Sequence, residues 1–144
     1  KSLHNVALSL PEPVLDLASF FWPGALTLIV RKAAGLANEV TANSDTVAVR
    51  LPNHPIAQGL AFGIGGAIVG TSANISGGLD TITADQVLDQ LGDSVDLIID
   101  GGRCHTAMGS TILDVSNQAW KILREGPITR TQLEDFGFAS YIAN

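Results

Sequence analysis

The stretch VGTSANISGG, residues 69–78, sets two serines, a threonine, an asparagine and three glycines directly behind an apolar run. Glycines let a backbone come close to a ligand. Ser72, Asn74 and Ser76 can donate to or accept from a carboxylate, a ribose or a phosphate. The same side chains can instead satisfy their own backbone in a plain turn. The stretch is not a P-loop, because no Gly-Lys-Ser/Thr ending follows. Nor is GIGGAIVG (63–70) a dinucleotide fingerprint, since its glycines precede the apolar run.

Two arginines close apolar runs. Arg50 ends TVAVR, where a guanidinium is costly to desolvate without a partner, and its fork suits a carboxylate or phosphate. Asp45 is the alternative, purely structural mate. Arg124 ends KILR before a glycine turn, a place for an anion or for a solvated surface charge. In DGGRCHTAMGSTILD (100–114) a diglycine bend and a small-residue strand entry put Ser110 and Thr111 beside open backbone. Cys104 and His105 have no matching pair elsewhere, so they read as a surface loop rather than a metal site. His4, His54 and His105 are scattered, and no nucleophile, base and acid form a set. No catalytic side chain and no metal ligand is therefore assigned. Chemistry here rests on holding reactants together and stabilising developing charge.

The elements that must position these groups follow from patterning. The chain has 144 residues, 46% hydrophobic and 15% charged, enough for one domain spanning 1–144 with a real core. Helices are expected over 13–21, 53–63 (Asn53 or His54 at the N-cap, Gly63 as stop), 84–92 and 130–136. Strands are expected over 26–32, 46–52, 66–72, 94–100, 109–115 and 119–126. Thr83 with Gln86 three residues on predicts a capping box for the third helix. Strands interleaved with helices argue for a layered α and β domain. The last two strands lack an intervening helix, which favours a mixed sheet over a purely parallel one. The apolar runs are too short to span a bilayer. One cysteine and no charged-then-apolar leader point to the cytoplasm. Fourteen acids against eight basic residues give a net charge of −6, not the footprint of a nucleic-acid binder.

Taken in order, FWPGALT (21–27), VAVRLPNHPIA (47–57), IVGTSANISG (68–77), DLIIDGG (96–102), GSTILD (109–114) and ILREGPI (122–128) resemble the threonylcarbamoyl-adenylate synthase family, the YrdC-like domain. The likeness spans nearly the whole chain. It implies an α+β fold, a twisted mixed sheet flanked by helices with a concave, positively charged cleft. It also implies an enzyme that condenses L-threonine, bicarbonate and ATP to threonylcarbamoyl-AMP and pyrophosphate. Mg2+ would screen the triphosphate. The product would serve downstream threonylcarbamoyl-transfer proteins in tRNA modification. Arg50 resembles the arginine that holds the threonine carboxylate, and Ser72 and Ser110 resemble hydroxyl residues of the threonine pocket. Thr46, Asn74 and Arg124 resemble residues that contact the nucleotide. Pro23, Gly24 and Thr27 resemble the family's Pro-Gly-x-x-Thr turn, with Ala25 in place of a frequent proline. A family Ser or Thr near Ile82 is missing, unless Thr83 takes its part.

The resemblance further leads one to expect a Pro-Thr-Asp-Thr-Val-Tyr-Gly-like stretch and a Lys-x-Arg-like basic motif ahead of the region where these residues start. Neither is among the 144, so the chain reads as a fragment lacking the N-terminal strand-helix segment, with weak or no catalysis by itself. Two alternatives stand beside the synthase. One is a non-catalytic RNA-binding or ribosome-associated module, which would bind tRNA or double-stranded RNA. The other is a carbamoyl-transfer domain of a larger maturation protein, for which no zinc-finger or acylphosphatase-like segment is present here.

Overall fold

The computed structural model describes residues 3–104 and 109–143. The element order is α1 (Glu12–Phe21), β1 (Leu26–Arg31), β2 (Thr46–Val49), α2 (Pro55–Gly63), α3 (Ala84–Leu91), β3 (Thr111–Asp114), β4 (Lys121–Arg124) and α4 (Arg130–Leu133), with short 3₁₀ turns between. The sheet runs β2-β1-β3-β4. β1 pairs antiparallel with β2 and parallel with β3, and β3 pairs antiparallel with β4. The sheet is thus mixed, as the helix-free connection between the last two strands predicts. Two compact units can be distinguished, residues 1–68 with 109–144, and residues 69–108.

In the first unit the alternation of β1 does what period two requires. Leu26, Leu28 and Val30 are buried on one face, together with Leu113 and Val115 of the β3 region. Val14, Leu17 and Ala18 of α1 belong to the same core, as do Trp120, Leu133, Phe138 and Ile142. Pro13 sits in the first turn of α1, where its missing N–H costs nothing. The last helix is shorter than expected. After α4 the chain widens into a looser turn over Glu134–Phe138, in which Gly137 takes φ 94°, a conformation that a residue with a Cβ rarely adopts. α4 carries a full capping box between Thr129 and Gln132, a T-x-x-Q pattern that the rule applied at Thr83 would also have found.

Two expected strands do not form. Residues 66–72 and 94–100 make no sheet ladder among the described residues. Their Ile, Val and Leu content satisfies strand propensity, but a strand also needs a neighbour for its backbone groups, and Val69 and Leu97 are 73% and 76% exposed. The helix between them does form. Thr83 accepts a hydrogen bond from Gln86 N, but the Gln86 side chain reaches Ile82 N instead of the cap residue, so the box is only half closed. Removing the cap in Thr83→Ala is expected to cost about 1 kcal/mol. Faster amide exchange of Val87 and Leu88, with little change in β1, would register the loss locally.

Candidate functional site

β1 and β3 enter the sheet side by side, while β2 and β4 leave it at the same end. Register sharpens this. Leu28 faces Val49, so continuing that pairing by one residue sets Arg50 across from Thr27. Thr27 faces Ile112, and Ile112 faces Arg124. Directly paired residues share a face, so Arg50, Thr27, Ser110 and Arg124 belong to the face opposite the buried leucines, at one end of the sheet. The antiparallel outer strands deliver both arginines there.

Both guanidiniums are held by backbone through Nε. Arg50 Nε donates to Gly24 O at 2.9 Å, and Arg124 Nε donates to Ser110 O at 3.0 Å. The two carbonyls belong to adjoining strand entries, which Thr111 N ties together by donating to Ala25 O at 2.9 Å. No hydrogen bond among the described residues engages the terminal nitrogens of either arginine, so each keeps a forked donor set for an oxyanion. Asp45 is not the mate of Arg50, because its carbonyl accepts from Lys32 N at the far end of β1. Between the arginines lies a hydroxyl pair, Thr27 Oγ1 and Ser110 Oγ, 2.7 Å apart, with Ser110 buried. Each hydroxyl retains capacity for a further partner.

Gly24 closes the turn before β1. Its N–H donates to Leu51 O, and a Cβ there would meet Phe21 O at 2.3 Å. Gly24 therefore has no room for a side chain, because the atom in the way is backbone, whereas at Gly109 a Cβ would fall 2.7 Å from the Arg124 guanidinium and would have to displace that side-chain end.

Thr46 is not brought to this end. It pairs with Arg31, four residues from Arg50 along the chain, or about 13 Å at about 3.3 Å per residue. There its hydroxyl meets Ser44 Oγ at 2.9 Å.

The second unit contains Ser72 and Asn74. Asn74 Nδ2 donates to Gly78 O at 2.9 Å, the self-satisfying turn that the plain reading of the loop anticipated. Its Oδ1 is buried with no hydrogen-bond partner among the described residues, which the plain reading leaves unexplained. Ser72 is exposed. Gln90 of α3 fixes the loop from one side, accepting from Ile75 N and donating to Leu79 O. Gly77 takes φ 80° at the turn. Cys104 is exposed, and His105 lies outside the described residues. No three His, Cys, Asp or Glu side chains gather as a metal-holding group among the described residues. No described helix is long and apolar enough to cross a membrane.

The family model for Sua5, YciO and YrdC proteins, described as telomere recombination, matches residues 1–126. The chain belongs to this family. A Sua5/YrdC relative named threonylcarbamoyl-AMP synthase in Bacillus subtilis (strain 168) is 40% identical over 133 residues, which are 92% of this chain and 38% of that protein. A Mycobacterium tuberculosis relative is 35% identical over 134 residues, 93% of this chain and 61% of its own length. The crystal structure of P. abyssi Sua5 complexed with L-threonine superposes with a TM-score of 0.90 at 34% identity, covering 97% of this chain and 41% of that one. E. coli YciO, at 24% identity and a TM-score of 0.75, shares the fold. The chain therefore spans between 38% and 61% of the length of these curated relatives.

Proposed function

We propose that this chain is the adenylate-forming domain of an L-threonylcarbamoyladenylate synthase, a nucleotidyltransferase acting on L-threonine, bicarbonate and ATP in the cytoplasm. The observation that carries the reading is the pair of backbone-anchored arginines, Arg50 and Arg124, flanking the Thr27–Ser110 hydroxyls on one sheet end. Its support comes from a family whose relatives include proteins named threonylcarbamoyl-AMP synthase.

In this reading Arg50 binds the threonine carboxylate bidentately, and Ser110 and Ser72 supply hydroxyls to the amino acid. Arg124 and Asn74 take the nucleotide, the buried Oδ1 of Asn74 being an acceptor in need of a donor. Thr46 enters with the nucleotide on resemblance alone. The threonine amine adds to carbon dioxide from bicarbonate and loses a proton to give a carbamate. A carbamate oxygen then attacks the α-phosphorus of ATP, forming the mixed anhydride as pyrophosphate leaves. The Arg124 guanidinium suits this step, because negative charge accumulates on the phosphoryl oxygens as the bond forms. Magnesium enters this reading with the nucleotide, as part of the MgATP substrate. The product is a labile acyl phosphate that threonylcarbamoyl-transfer proteins would pass to tRNA. The RNA-binding alternative gains no specific observation, and a net charge of −6 opposes it. Residues 1–144 act as one domain in this proposal.

Calorimetric titration with L-threonine tests the reading. Saturable binding of L-threonine, with none of L-valine, is expected. A folded protein that ignores threonine would overturn it.

A further inference from the structure

Thr111 is the second residue of the Ser110-Thr111 pair, yet it faces the other way and is fully buried. Its hydroxyl donates to Ile128 O at 2.6 Å and accepts from Gly126 N at 2.9 Å and Ile128 N at 3.1 Å. A threonine hydroxyl has one donor and two lone pairs, so all three are spent on one loop and none is left for a ligand. Side-chain pinning of this completeness is needed because the regular ladder fails just there. Ile112 pairs with Arg124 and Leu113 with Ile122, so Leu123 is an extra residue, a bulge that turns the end of β4. Beyond the bulge, residues 125–128 are held to β3 chiefly through Thr111. Gly126 lies so close that a Cβ on it would meet Gly109 O at 2.4 Å and Thr111 N at 2.7 Å. Arg124, at the junction between bulge and loop, lies over Gly109 and bonds Ser110 O.

We infer that Thr111 is a positioning residue: its hydroxyl locks the 125–128 loop beyond the β4 bulge and thereby holds the Arg124 guanidinium in place, its terminal nitrogens presented to a phosphate of the nucleotide. The phosphate rests on the proposed function; the locking of Arg124 does not. Thr111→Val removes the hydroxyl and keeps the shape, Thr111→Ser restores the hydroxyl, and Gly126→Ala lifts the loop without touching the hydroxyl.

The first readout needs no ligand. In the 144-residue protein the Arg124 Nε–H proton is expected to exchange slowly by NMR and to stay slow in Thr111→Ser. In Thr111→Val and Gly126→Ala, folded by circular dichroism, its exchange is expected to quicken at least tenfold. A protected Arg124 Nε–H in folded Thr111→Val overturns the inference. The second readout is ATP affinity in magnesium. Thr111→Val is expected to weaken it about tenfold and Thr111→Ser less than twofold. In an Arg124→Ala background Thr111→Val should add nothing, whereas an additive loss would make Thr111 merely structural and overturn the link. If the unaltered protein binds no ATP, the nucleotide reading fails, while the Nε–H comparison still decides the positioning.

Discussion

Arg50→Ala is expected to lower the affinity for L-threonine about 100-fold while leaving thermal stability nearly unchanged. Arg50 is exposed, and its only hydrogen bond among the described residues is the one from Nε to Gly24 O. The turn it touches keeps its own bond from Gly24 N to Leu51 O. Loss of an exposed side chain of this kind costs about 0.5 kcal/mol of stability. Loss of a bidentate, charge-assisted pair with a carboxylate costs about 2–5 kcal/mol of binding, which brackets the expected effect. Arg50→Lys keeps the charge and loses the fork, so it should recover only part of the affinity. Titration of the three proteins with L-threonine measures this directly. Unchanged affinity in Arg50→Ala would move the carboxylate to another cation, with Arg124 the first to examine.

Leu28→Ala should be the most damaging single truncation of the fold, at about 3 kcal/mol and roughly 6–12 °C in melting temperature. Leu28 is fully buried in β1, one of the two strands paired on both sides, and its neighbours across the ladder are Val49 and Leu113. The ladders to β2 and β3 on either side of β1 limit how far the backbone can collapse into a cavity there. Leu123→Ala is the control. Leu123 is the bulge residue, 51% exposed, and its truncation should stay within about 0.5 kcal/mol. Equal losses from the two would show that β1 is not the centre of the core.

Much of the site could be read from the chain because its chemistry is carried by residue type at strand ends. An arginine closing an apolar run demands an anion or a polar anchor, and Arg50 and Arg124 each have an anchor at Nε, with no partner for their terminal nitrogens among the described residues. The loop at 69–78 was ambiguous for a good reason: Asn74 both closes its own turn and leaves one acceptor empty. Thr111 was visible only as a small residue beside open backbone. Nothing local distinguishes it from Ser110, since the partners that exhaust its hydroxyl lie 15 and 17 residues away.

By itself the sequence determined the helices at 12–21, 55–63 and 84–91 to within about two residues, the alternation of β1 and the family. These depend on spacing and caps within a few residues, where local physics acts. Only the tertiary structure decided which apolar runs became strands, since 66–72 and 94–100 have the right residues but no ladder partner among the described residues. Strand direction was decided there too. Antiparallel β2 and β4 bring Arg50 and Arg124 to the same end as the β1 and β3 entries, and leave Thr46 at the other. A strand's partner and direction are set by hydrogen bonds between residues far apart in sequence, and no short window of the chain contains both sides of such a bond.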